Sequence, residues 1–262
     1  GAYNIGGLLN AVVSRAKTRI LAFVNVGTIG VTRAPEVRGP DDLDHAATVE
    51  AVQANRDVIL GVKLRLVSPD IVAMGMDLVL AAKAMAKEAE APIMVHVGDI
   101  GGDHPVAAEL TARLLGEVLT AGDIVTHSLS FHVGALLADG KLIPEAKVAR
   151  DRGVIFDVGV GKNNFSFDSA RKVLDQGFMP DTISTDLTAM SLHAGPTYSM
   201  MECLGKMLSV GLSLAFNEIT NDVAAYIKNA GDVEAATGDV ILKAEAPNIF
   251  RIPISLIRCW ME

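Results

Sequence analysis

The sequence predicts an α/β protein in which repeated βα units roll into a barrel. Short runs rich in Val and Ile alternate with longer segments whose apolar residues recur every three or four positions, the pattern of strands and helices feeding a parallel sheet. The glycine-rich stretches 98–102 and 159–161 lack the GxGxxG spacing of an open dinucleotide-binding sheet, so a (β/α)8 TIM barrel is favoured over the doubly wound alternative. A chain of 262 residues, 50% of them hydrophobic, also suits a single barrel of roughly 250 residues with a substantial core.

In chain order, the first strand is expected at 19–26 and the first helix at 45–56, where Asp42 and Asp44 read as an acidic N-terminus ahead of His45. A strand at 58–67 leads to a helix at 74–90, a strand at 92–99 to a helix at 105–120, and a strand at 123–129 to a helix at 144–152 that opens on Pro144. Strands at 154–160 and 182–187 feed helices at 167–176 and 199–210. Six βα units are therefore visible, and residues 1–212 are expected to form a partial barrel. Residues 213–262 offer a helix at 217–229, a weak strand at 239–243 and an apolar tail, with no function assigned.

A net charge of −8 and a pI near 5.3 argue against phosphate backbones and anionic membranes as partners. Aromatic residues, at 5%, supply few platforms for stacking bases, so the expected partner is a small molecule and not nucleic acid. Cys203 and Cys259 form no disulfide framework and no CxxC motif, which fits a reducing, cytoplasmic setting. No uncharged run is long enough to span a bilayer, and no secretory signal is visible. The chain begins at Gly1, which raises the expectation of processing or of an incomplete chain.

In a barrel the working residues end the strands. Four candidates stand out, each after a strand-like run and, Lys63 apart, just before a loop: Lys63 in ILGVKLRL, His96 in PIMVHVGD, His127 in DIVTHSL and Asp186 in TISTDL. One histidine at a strand end is more often a hydrogen-bonded rim residue than a ligand; two on successive strands followed by an aspartate reverse that balance. Lys63 needs an explanation of its own, because an unpaired ammonium buried in an apolar strand costs several kcal/mol. It either snorkels or pairs with an acid such as Asp99, or it works as a neutral amine. A neutral amine opens two chemistries, a Schiff base with a carbonyl substrate or a carbamate formed with carbon dioxide that bridges metal ions. Two imidazoles and a carboxylate nearby favour the metal.

The strings GVKLRLV, PIMVHVGD, DIVTHSL, GVIFDVGVG and QGFMPDTISTDL followed by GPTY resemble the amidohydrolase superfamily, in its dihydroorotase-like branch of amidohydrolase/deacetylase metallohydrolases, over roughly residues 1–212. The resemblance implies a (β/α)8 barrel of the metal-dependent hydrolase type holding one or two divalent metals, usually zinc. It makes Lys63 the carboxylated bridging lysine, His96 and His127 imidazole ligands, and Asp186 both a metal ligand and the catalytic carboxylate. Activated water would then cleave an amide or ester bond of a small acylated substrate. A Schiff-base lyase using Lys63 and a truncated, non-catalytic relative remain the alternatives.

The family opens with a strand bearing an HxH pair, and none of His45, His96, His104, His127, His132 and His193 stands two residues from another. The two strands missing from the count of eight are then expected to be the first two, leaving an open seam that favours a homo-oligomer. Val160 and Thr188 stand where relatives often place histidine. Arg65, on the same face as Lys63, is a candidate for a substrate carboxylate or a rim ion pair, and His132 and His193 are candidates to line the pocket. Asn163 and Asn164 read as a turn.

Overall fold

A computed structural model describes residues 1–219 of the chain. Its contacts divide into two compact units, Gly1–Ser213 and Leu214–Glu262, and the sheet and every candidate residue lie in the first. The strands at the heart of that unit are β1 (Ala22–Asn25), β2 (Ile59–Arg65), β3 (Ile93–His96), β4 (Ile124–Thr126) and β7 (Ile155–Asp157), all parallel, in the order β1-β2-β3-β4-β7. A two-residue antiparallel hairpin, β5 (Leu137–Ala138) and β6 (Lys141–Leu142), interrupts the succession and was not expected.

The helices are α1 (Ile5–Ala11), α2 (His45–Ala54), α3 (Asp70–Met74), α4 (Met76–Glu88), α5 (Val106–Arg113), α6 (Pro144–Asp151), α7 (Phe167–Asp175), α8 (Ala189–Ala194) and α9 (Met200–Ile219). Local chemistry explains their starts. Asp44 caps α2 by accepting from the Ala47 amide at 2.9 Å, Ser166 caps α7 by accepting from Ser169 at 2.9 Å, and Pro144 opens α6. The expected helix at 105–120 is α5 carried on by a π-helical turn, Leu114–Val118. The expected helix at 74–90 starts two residues later because Gly75, at φ +54°, separates α3 from α4. The rest of the expected helix at 217–229 and the strand at 239–243 lie outside the described residues.

Parallel strands buried on both faces read as near-continuous apolar runs, and these do. Val62, Leu64, Ile93, Val95, Val125 and Phe156 are almost without solvent contact. α2 and α4 both pack on β2. The sixth expected strand departs from the expectation. Residues 182–185 run beside β7 and its extension, with Val158, Val160 and Gly161 amides donating to the Thr182, Ser184 and Thr185 carbonyls, but only one parallel bridge, Asp157 to Thr182, is regular. Among the described residues the sheet does not close on itself: β1 is one edge and segment 182–185 follows β7 at the other. No helix among the described residues is long and apolar enough to cross a membrane.

Candidate metal centre

Parallel pairing places Arg65, His96, Thr126 and Asp157 in one row across β2, β3, β4 and β7, at the carboxyl ends of the strands. Lys63, two residues before Arg65, faces the same side. His127 is one residue beyond that row and by simple alternation would face away from His96. Its backbone instead turns left-handed, at φ +72°, and the two rings meet edge to face with centroids 4.1 Å apart.

Each imidazole is clamped by a backbone carbonyl, and that fixes which nitrogen is free. A carbonyl only accepts, so His96 donates from Nε2 to the Gly98 oxygen at 3.0 Å, leaving Nδ1 available. His127 donates from Nδ1 to the Gly159 oxygen at 2.8 Å, leaving Nε2 available. Both residues are 3% exposed. Loss of water holds the pKa of His96 well below its ordinary value, helped by His127, Lys63 and Arg65. The same loss of water, with Lys63 next, lowers His127 to about 3. The rings are therefore neutral at pH 7, each with an unprotonated nitrogen. Gly159 makes the second clamp possible: a Cβ there would stand 2.6 Å from His127 Nδ1.

Lys63 forms no ion pair among the described residues. The alternative partner Asp99 is taken by the Ser68 hydroxyl and the Ser68, Gly101 and His104 amides at 2.6–2.9 Å. Burial lowers the lysine to about 8 despite the opposing pull of Asp186, Asp157 and Glu36. Asp186 sits at the open mouth in a left-handed conformation, φ +45°, and Asn164 Nδ2 donates to its Oδ2 at 3.2 Å. Protein packed round the carboxylate raises its pKa, against the Asn164 hydrogen bond and the charges of Lys63 and Arg65.

The structure thus brings His96 and His127 together, sets Lys63 within their electrostatic reach, and leaves Asp186 at the rim. Among the described residues no three His, Cys, Asp or Glu side chains stand close enough to hold an ion as a set. The donor chemistry nevertheless fits a transition metal. Two neutral imidazoles with backbone-fixed tautomers are what such an ion takes, and metal-ligating histidines commonly donate their other N–H to a carbonyl.

Of the pocket candidates, Arg65 is engaged by Glu36, which also accepts from Asn25 Nδ2 at 2.7 Å, so the rim ion pair is the arrangement found. His132 Nδ1 pairs with Asp103 Oδ1 at 3.0 Å, and its buried Nε2 has no partner. His193 is exposed on α8. Asp157 is a central residue that the sequence reading passed over. It is 5% exposed, and it accepts from Thr126 Oγ1, Thr182 Oγ1 and Ser184 Oγ at 2.7, 2.9 and 2.7 Å, tying β4, β7 and segment 182–185 together. The strand-end rule that found His96 would have found it in GVIFDVGVG.

No protein-family model matches the chain. A deacetylase of Brucella anthropi is 32% identical over 234 residues, covering 87% of this chain and 56% of that protein. A deacetylase of Agrobacterium fabrum is 32% identical over 237 residues, covering 89% and 55%. The chain thus spans about half the length of the curated relatives it matches. Among solved structures, an adenine deaminase aligns with TM-score 0.72 at 28% identity, covering 80% of this chain and 56% of that one, and a dihydroorotase with TM-score 0.69 at 31% identity, covering 80% and 57%. Those neighbours are TIM-barrel proteins, and the parallel sheet of residues 22–185 is part of such a barrel. Sequence kinship with the deacetylases and shared architecture with adenine deaminase and dihydroorotase place this chain in the amidohydrolase superfamily of hydrolases.

Proposed function

We propose that the chain carries part of the active centre of a metal-dependent hydrolase, with zinc as the metal and an amide or ester bond of a small acylated molecule as the target. The observation that carries this reading is the pair of buried, neutral imidazoles, each clamped by a carbonyl, beside a lysine whose ammonium is destabilised. A divalent ion bound there supplies a Lewis acid that eases deprotonation of water and polarises the carbonyl under attack.

His96 Nδ1 and His127 Nε2 would hold it, and neither would first have to lose a proton. Lys63 would contribute as a carbamate: its ammonium first gives one proton to solvent, the freed Nζ lone pair forms a bond to the carbon of carbon dioxide, one C=O pair moves onto oxygen, and a second N–H proton leaves to solvent. A cation is replaced by an anionic oxygen donor. Asp186 takes a proton from the attacking water on its carboxylate and returns it to the departing amine or alkoxide; its raised pKa suits that exchange. His132, whose Nε2 has no hydrogen-bond partner among the described residues, is the candidate to meet the substrate; Arg65, occupied by Glu36, would orient the neighbourhood of Lys63 instead.

The test is zinc uptake by the purified chain with and without bicarbonate, with 13C-bicarbonate reporting a carbamate on Lys63 by NMR. Bicarbonate-dependent uptake and a carbamate resonance are expected. No uptake in either condition would overturn the reading. In the full-length parent, chelator-insensitive activity with a borohydride-trapped adduct on Lys63 would replace it with the Schiff-base alternative.

A further inference from the structure

We infer that Asn164 is a positioning residue for Asp186, holding its carboxylate in place for the metal; the inference rests on the metal-site reading above. Asn164 belongs to the turn that follows β7 and is 3% exposed. Its Nδ2 donates to Asp186 Oδ2 at 3.2 Å, across 22 residues of sequence. Its Oδ1 is buried and has no hydrogen-bond partner among the described residues. A carboxamide enclosed with its acceptor oxygen unused is a poor device for stability, since Leu would fill the same space without an empty acceptor. The group is explained by what its NH2 does to the carboxylate and by a donor that the site's occupant, a water or a substrate N–H, brings to Oδ1.

The surroundings are built for this contact. Gly161, at φ +54°, passes so close to the pair that a Cβ there would collide with Asp186 Oδ2 and lie 3.1 Å from Asn164 Nδ2. The turn is fixed from outside by Thr197, fully buried, whose hydroxyl donates to the Gly161 carbonyl at 2.8 Å. The Gly161 amide in turn donates to the Thr185 carbonyl at 2.9 Å, immediately before Asp186. Asp186 thus lacks a regular ladder and is held by a carboxamide on a pinned turn.

The test is equilibrium binding of Co2+ and Zn2+ to the purified full chain, in wild type, Asn164→Leu, Asp186→Asn, the double variant, and Asn163→Leu as an exposed control on the same turn. Removing a group that orients a metal ligand weakens binding about 10- to 100-fold. Asn164→Leu is expected to lose at least about tenfold, Asn163→Leu nothing, and Asn164→Leu in the Asp186→Asn background nothing further, with an altered Co2+ absorption spectrum only where Asp186 is present. Where Asn164→Leu does not fold, as judged by circular dichroism, Asn164→Ala carries the same expectation. Wild-type affinity in a folded Asn164 variant, or an equal loss in both backgrounds, overturns the inference and leaves the metal reading standing. A wild-type chain that binds neither ion overturns both.

Discussion

His96 and His127 hang from β3 and β4, strands paired on both sides, whereas Asp186 ends a segment that hydrogen-bonds to β7 on one side and becomes regular at a single bridge. The histidines inherit their place from the ladder: two packed strands and a carbonyl clamp for each ring fix them with little help from side chains. Asp186 inherits its place from side chains. The hydroxyls of Thr182 and Ser184 on Asp157 hold its segment, and Asn164, Gly161 and Thr197 hold its carboxylate. A site assembled in these two ways should fail in two ways, through loss of ligands on one side and loss of orientation on the other.

The largest expected effect lies with the ladder. On the proposed metal-site reading His96→Ala or His127→Ala removes a ligand outright, and since removing mere supports costs 10- to 100-fold, either change is expected to weaken zinc binding by more than about 100-fold. His96→Ala should shift thermal unfolding less than His127→Ala, because the His96 ring bonds only Gly98, two residues on, whereas the His127 ring bonds the Gly159 carbonyl 32 residues away. Equilibrium dialysis and a melting curve on the same sample check both. Wild-type zinc affinity in either variant would remove the histidine pair from the site.

Asp157→Leu should strike the other side through stability. Three hydroxyls lose a charged acceptor, and each such bond is worth about 1.5–3 kcal/mol, so a loss of about 3 kcal/mol or more in urea unfolding is expected, allowing for non-additivity and rehydration. A loss under about 1 kcal/mol would show that segment 182–185 is held by its backbone bonds alone.

Gly161→Ala separates the two halves more finely. Forcing an alanine into the left-handed region costs about 1–2 kcal/mol, and its Cβ displaces the Asp186 carboxylate while leaving both rings untouched. On the proposed reading metal binding through the imidazoles is expected to persist, while hydrolysis by the longer protein is expected to fall at least tenfold. Unchanged turnover would mean that Asp186 does not need its observed position.

What could be read in the sequence follows the same division. The strands carrying Lys63, His96 and His127 announce themselves by Val and Ile runs ending in an ionisable residue, because a doubly buried parallel strand must be apolar throughout. Asp186 was legible as a residue, but not its means of support. Asn164 reads as turn chemistry since its partner is 22 residues away, and Thr197 acts through a carbonyl. The regular sixth strand was expected because 182–187 has strand-like spacing, yet the segment makes a single regular bridge and is held to Asp157 by two hydroxyl contacts. The left-handed turn at His127 has no sequence signal, and without it the two rings would not meet.

The smallest effect concerns Asp99, which orders the loop behind His96 as Asn164 orders the turn beside Asp186. Its carboxylate is wholly buried, which alone would raise its pKa. Donation by the Ser68 hydroxyl and by the Ser68, His104 and Gly101 amides outweighs burial and holds the pKa below 3.8. A carboxylate depressed in the folded state contributes stability that is fully present above its unfolded value and is lost as pH falls through the folded one. Wild type is therefore expected to lose this contribution progressively below about pH 4, on top of the loss common to other paired carboxylates, and Asp99→Asn should lower stability at pH 7 while flattening the acid limb. The measurement is urea unfolding of both proteins from pH 7 down to pH 3. Curves that stay parallel throughout would show that the charge on Asp99 does no work in the loop, and that hydrogen bonds an asparagine can mimic are enough to keep Gly98 under the His96 ring.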